Sequence, residues 1–168
     1  DTMVRITTPE LADAFIAEQI KEHSVTRVYN GILQGMPKEQ TGTVTGAIGR
    51  DPNNRLRMAI NEKNGKPAVT HYQVLSQNQG YAFCEFRLET GRTHQIRVHM
   101  ASLGHPLLGD PLYGPKNQPV KHLNGQCLHA RTIGFVHPVT KSYLEIEAPL
   151  PEYFMRLLKR FGLSAGQL

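Results

Sequence analysis

Leu11, Phe15, Ile16 and Ile20 recur at the three- and four-residue spacing of one helical face. The run opens on Thr7-Thr8-Pro9-Glu10, where a threonine cap, a proline in the first turn and an acid suit the unpaired N–H groups of a helix start. The pattern predicts a helix ending near His23. It then changes period: the β-branched and aromatic content of Val25–Leu33 predicts a strand. From Met36 to Gly65, Gly42, Gly46, Gly49, Pro52 and Asn53-Asn54 punctuate short β-prone pieces, Thr43–Ile48 and Arg55–Ile60, which read as hairpins. Ala68–Leu75 and Tyr81–Leu88 predict two strands separated by a polar Ser76–Gly80 turn. Gly125–Phe135 and Ser142–Ala148 are strand-like as well. Tyr153, Phe154, Leu157, Leu158 and Phe161 make an amphipathic closing helix of Pro151–Phe161. Strands that follow one another without regular helical crossovers predict an α+β fold, a mixed, mainly antiparallel sheet flanked by helices. The 168 residues contain no linker-like composition shift and are expected to form one domain, 1–168.

The segment Leu88–Gly114 departs from this alternation, with two arginines and three histidines among apolar residues. Thr93 can cap a helix running to about Leu103, where Gly104 would stop it. At about 100° per residue, Leu103, Ile96, Met100, Arg97 and Ala101 share one arc, with Gln95, His99 and Ser102 opposite. Arg97 therefore lies on the apolar face. A guanidinium there demands a buried anion, either a structural Asp or Glu or a functional one. His94, His99 and His105 are not spaced as metal ligands: a zinc pair on a helix wants four residues, and His94 to His99 is five. No nucleophile elbow, phosphate-binding loop or dinucleotide fingerprint is present.

Charge adds a direction. Nineteen Lys and Arg against fourteen Asp and Glu give +5 and a pI of about 9.4, which favours an anionic partner, nucleic acid first. Cys84 and Cys127 stand outside any CxxC, so neither a zinc knuckle nor a disulfide framework is encoded, and a reduced cytoplasmic setting fits. No apolar run approaches the ~20 residues of a membrane span, and no signal-peptide layout precedes the first helix.

Thr90-Gly91-Arg92-Thr93-His94-Gln95-Ile96-Arg97-Val98-His99-Met100, followed by Gly104-His105-Pro106-Leu107-Leu108-Gly109-Asp110-Pro111-Leu112-Tyr113-Gly114, resembles the signature of the RluA-type pseudouridine synthases. These enzymes act on large-subunit ribosomal RNA and some tRNA. Val25–Gly35 is similar to the family's basic-Tyr strand, and Ile48–Pro52, Gly65–Leu75, Leu128–Ala130, Phe135–Pro138 and Ala148–Pro151 extend the likeness over most of the chain. The resemblance implies isomerisation of uridine in structured RNA, rRNA foremost and tRNA as the other class, with no cofactor and no metal, by a monomer. It implies that Arg97 pairs with the catalytic Asp, and that Tyr29 stacks on the flipped base and is a candidate to remove the proton from ring carbon five. Arg92 positions the active-site loop or meets phosphate, and His94 and Gln95 complete the substrate-binding set. Arg50, Arg55, Arg57, Lys63 and Lys66 would grip RNA collectively.

One motif does not fit. The family's nucleophile is the Asp of R-L-D-x-x-T-S-G, whereas this sequence reads Asp1-Thr2-Met3-Val4. The expectation is an N-terminally truncated catalytic domain with the nucleophile upstream of Asp1; the other reading puts Asp1 itself in that place. A non-catalytic RNA-binding module and a purely structural domain with a buried Arg pair are the rival readings.

Overall fold

A computed structural model of the protein describes residues 9–22 and 24–165. Asp1, the expected Thr7-Thr8 cap and His23 lie outside the described residues. The elements are α1 (Pro9–Lys21), β1 (Thr26–Gln34), β2 (Thr41–Val44), β3 (Ile48–Asp51), β4 (Asn54–Ile60), β5 (Thr70–Asn78), β6 (Tyr81–Leu88), α2 (Gln95–Ser102), β7 (Leu128–Val136), β8 (Tyr143–Glu147) and α3 (Glu152–Arg160). Six strands form one sheet in the order β2-β5-β6-β1-β7-β8, and β3-β4 form a separate hairpin. Every neighbouring pair is antiparallel, so the fold is α+β as expected.

Alternation along β1 sorts the core into two layers. Ile32, opposite Phe83 in the register, packs with Phe154, Leu157, Leu158 and Phe161 of α3. Leu33, opposite Ala82, packs with Val74, Cys84 and Phe86 against Ile96 and Met100 of α2. The two helices therefore cover opposite faces of the sheet. The β3-β4 hairpin closes over α2 from its far side, bringing Ile48 against Val98.

Three sequence expectations change. The piece Thr43–Ile48 is not one strand: β2 ends at Val44 and β3 begins at Ile48. β5 runs on to Asn78, and the turn shrinks to Gln79-Gly80, whose φ values of 55° and 82° suit a tight hairpin. The stripe on α1 docks only in part: Phe15 and Ile16 are half-buried, whereas Leu11 and Ile20 are 53% and 43% exposed. The buried residue is Gln19, whose Nε2 donates to the Val136 carbonyl (2.8 Å) and whose Oε1 accepts from the Val136 N–H (2.7 Å). An amide that satisfies both backbone groups of one residue anchors the helix where an apolar contact was expected.

Candidate active site

α2 starts one residue later than the Thr93 cap predicts. The turn is made by His94 at φ 56°, with no side-chain cap. Gly104, at φ 84°, ends the helix as expected. The wheel places Arg97 correctly but not its polar opposite side. Gln95 and His99 are buried together with Ile96, Val98 and Met100, because sheet and hairpin enclose the helix on several sides. Leu103, placed in the apolar arc, is 43% exposed.

The buried polar side is a continuous run of hydrogen bonds. His99 Nε2 faces the Gly46 carbonyl at 2.7 Å and its Nδ1 faces Thr70 Oγ1 at 2.7 Å. Only a neutral ring with Nε2 protonated serves a carbonyl on one side and the Thr70 hydroxyl proton on the other, and burial pushes the His99 pKa down while the Gly46 bond opposes it. Thr70 Oγ1 accepts from Gln95 Nε2 (2.9 Å), which also donates to the Val69 carbonyl (3.0 Å). Gln95 Oε1 accepts from Thr90 Oγ1 (2.7 Å) and from the Arg92 N–H (3.0 Å), and Thr90 Oγ1 accepts from the Val69 N–H (2.9 Å). These bonds tie the hairpin, β5 and α2 to the loop 89–94. The Gln95 amide is thus fully engaged inside the protein. At 3% exposure it lines the cleft and shapes the loop that bears Arg92 and His94.

Arg97 has its buried anion, and the anion is Asp110. Nε donates to Oδ2 and Nη2 to Oδ1, both at 2.9 Å, with the carboxyl fully buried and the Arg97 side chain 11% exposed. Burial alone would raise the Asp110 pKa; the Arg97 hydrogen bonds, the N–H groups of Tyr113 and Leu112 and the Arg97 charge outweigh it and hold the carboxyl below its usual range. Arg97 therefore does not wait unpaired for an upstream Asp. With both oxygens committed and no solvent access, Asp110 cannot be a nucleophile, and its part is to fix Arg97. Nη1 of Arg97 makes no hydrogen bond among the described residues.

Tyr113 completes this support. Its ring lies between two guanidinium groups, 5.0 Å from Arg97 and 5.2 Å from Arg57. Its hydroxyl accepts from the Met58 N–H (2.8 Å) and sits 2.7 Å from His94 Nδ1. Burial, and secondarily the Arg97 charge, push the His94 pKa down, so the neutral ring can take the tyrosine proton on Nδ1. Sequence reading singled out neither Asp110 nor Tyr113 as site residues. The Gly-Asp-Pro turn was visible, but nothing in one sequence pairs it with Arg97.

The cleft itself opens beside these groups. Arg27, Tyr29, Leu88, Gly91, Arg92, His94, Gln95, Ile96, Arg97, Gln126 and Leu128 line a hollow of about 410 Å³. All five sequence-derived site residues meet there. Tyr29 lies opposite a bulge in β7, where the register steps from Val28–Thr132 to Tyr29–Ala130 and leaves Arg131 as the extra residue, so that β1 keeps its alternation. Three arginines and no described carboxylate line this wall. Arg57, by contrast, is taken up by Tyr113 and by Asp51 at 3.3 Å, while Arg50, Arg55, Lys63 and Lys66 are exposed. His94, His99 and His105 do not converge, and no metal-holding group of His, Cys, Asp or Glu occurs among the described residues.

Residues 7–102 match the family model for RNA pseudouridylate synthase. An uncharacterized RNA pseudouridine synthase of Bacillus subtilis, YlyB, is 43% identical over 157 residues, covering 94% of this chain and 51% of the relative. Ribosomal large subunit pseudouridine synthase D of Neisseria meningitidis is 43% identical over 157 residues, covering 88% and 42%. Among solved structures, human RNA pseudouridylate synthase domain containing 4 is similar with a TM-score of 0.74 at 26% identity, over 95% of this chain and 70% of that one. The chain spans about half the length of the curated relatives it matches. On its sequence and its fold alike, the chain belongs to the RNA pseudouridylate synthase family.

Proposed function

We propose that this chain is the catalytic domain of an RNA pseudouridine synthase that isomerises uridines in structured RNA, ribosomal RNA first and tRNA as the alternative, in the cytoplasm and as a monomer. The observation that carries this reading is the cleft, which unites an aromatic ring and three arginines, one of them the rigidly held Arg97, in a member of this family. The reaction breaks the bond between uracil nitrogen and ribose and remakes it through ring carbon five, with no net hydrolysis or redox change. The target uridine leaves its stack to enter the cleft, where Tyr29 offers its ring to the base and its hydroxyl to the ring-carbon proton. Arg97, locked by Asp110 through Nε and Nη2, has Nη1 left to orient the reacting carboxylate. That carboxylate is the Asp of the family motif. Arg92 and His94 face the substrate, and Gln95 holds both in place. No metal or nucleotide enters this scheme.

The same cleft wall, free of described carboxylates, favours one other reading, a non-catalytic RNA-binding module. Ribosomal RNA transcripts incubated with this chain, and with a version extended by an Arg-Leu-Asp segment, distinguish the two when pseudouridine is mapped by mass spectrometry. Pseudouridine formed by the extended protein, and lost on Asp→Asn at the added position, supports the enzyme. RNA binding without pseudouridine in either protein supports the module, and failure to bind RNA refutes both. Light scattering that gives the mass of one chain checks the monomer.

A further inference from the structure

Arg27 is held in a way that no structural partner explains. It projects from β1 two residues before Tyr29, on the same face of the strand, and both side chains line the cleft and the apolar hollow behind it formed by Ala130, Ile133, Ile146 and Ala148. Its Nε is sealed from water and makes no hydrogen bond among the described residues. The one hydrogen bond from its guanidinium among the described residues is long, Nη2 to the Glu89 carbonyl at 3.3 Å. Nη1 lies close over Gly91, so that a side chain there would make the Arg27 guanidinium shift. Arg92, which follows that glycine, faces Arg27 as a second cation, with only Nε spent, on the Pro67 carbonyl at 2.8 Å. Neither arginine has a carboxylate partner among the described residues, although Arg57, Arg87, Arg97 and Arg156 each do. Burial and the repulsion of Arg92 both push the Arg27 pKa down, against the attraction of Tyr29. Two like charges held together at a cleft mouth, one partly desolvated and unpaired, are unfavourable unless an anion joins them.

We propose that Arg27 and Arg92 form one phosphate site at the mouth of the cleft, which takes a backbone phosphodiester of the RNA next to the nucleotide stacked on Tyr29. The inference rests on the RNA-directed reading of the cleft and deepens it. A guanidinium pair suits this ligand because each presents a planar fork of donors to phosphate oxygens and stays charged throughout. Gly91 is the spacer that lets the Arg27 fork reach the site. The site carries no base-specific information: it fixes where the strand runs, so that the neighbouring base falls on Tyr29.

The test is the salt dependence of binding to a twelve-nucleotide oligouridine, followed by fluorescence anisotropy between 50 and 300 mM KCl. Each phosphate neutralised on a single strand contributes about 0.7 to the slope of log K against log salt. Arg27→Gln should lower the slope by about that amount, and Arg92→Gln, from the other side of the site, should lower it as well. Arg27→Lys should keep the slope while weakening binding. Arg87→Gln, on the opposite face of the sheet, should change nothing. A slope unaltered in both Arg27→Gln and Arg92→Gln overturns the phosphate site while leaving RNA recognition intact. If Arg27→Gln does not fold, Arg92→Gln decides alone. Failure of the wild-type chain to bind the oligonucleotide at 50 mM KCl overturns the phosphate site, while the RNA-directed reading stands or falls on the ribosomal RNA transcripts.

Discussion

Replacing Asp110 with alanine removes an acceptor on which four donors converge at 2.9 to 3.0 Å: Arg97 Nε and Nη2, and the N–H groups of Leu112 and Tyr113. Breaking one partner out of a buried ion pair typically costs about 3–5 kcal/mol. Access of water to Arg97 from the cleft argues for the lower end of that range, and the two stranded amides argue for the upper. At about 2–4 °C per kcal/mol for a protein of this size, Tm should fall by about 6–20 °C. Arg97→Met should cost less, because the carboxyl keeps its two amides and can take up a proton. Urea unfolding of both single variants and of Arg97→Met/Asp110→Ala measures the coupling, expected at about 1–3 kcal/mol. Single effects that add within about 0.5 kcal/mol would refute the reasoning, since the pair would then carry no mutual stabilisation. The pH dependence gives a second check. The folded Asp110 pKa is depressed, so its contribution is present above the unfolded value of about 3.9 and is lost as pH falls through the folded one. Asp110→Ala should lack that acid-sensitive component.

Tyr29→Phe in an active, motif-bearing form of the protein should keep RNA binding and slow single-turnover isomerisation by about 10²–10⁴-fold, the usual worth of a positioned acid or base; an unchanged rate would leave Tyr29 as a stacking platform only. His99 has a folded pKa below its unfolded value of about 6.5, so the stability it contributes is present above that pH and declines as pH drops through the folded value. Thermal melts from pH 8 to 5 should show this decline in the wild type and a flatter profile in His99→Phe; equal profiles would remove His99 as its source.

The strands were legible because β-prone runs between turn residues admit one reading: Tyr81–Leu88 emerges with its expected ends, and β1, β4, β5, β7 and β8 within a few residues. Helical faces were less so, since a wheel knows one inside and one outside. α2 is enclosed on several sides, and its polar residues are buried because they satisfy one another, a property of Thr70, Gly46 and Thr90 as much as of Gln95 and His99. In α1 the amide of Gln19 found a backbone site 117 residues away, which no local pattern contains. The burial of Arg97 could be read from periodicity, whereas Asp110 as its partner depends on how the chain returns after α2. Arg27 was visible only as part of a basic-Tyr strand. Its lack of a carboxylate partner among the described residues is a fact of three dimensions.

The hydrogen bonds from Val69 to Gly46 admit one direction of travel. Val69 N–H gives to Thr90, Thr90 to Gln95, Gln95 to Thr70, Thr70 to His99 and His99 to the Gly46 carbonyl. A backbone donor starts the sequence and a backbone acceptor ends it, and neither terminal group can reverse, so the orientation of every hydroxyl, amide and ring between them is dictated from both ends. Such a line stores a single state. Substituting a member with a group that cannot both give and receive strands a neighbour: without Thr90 the Val69 N–H loses its acceptor, and without Thr70 the His99 Nδ1 loses its donor, while each end of the Gln95 amide keeps a second partner. Sensitivity to mutation along it should therefore not fade with distance from the cleft, and substitution of His99, the member farthest along the line from Arg92, should disturb the cleft loop as substitution of Thr90 does.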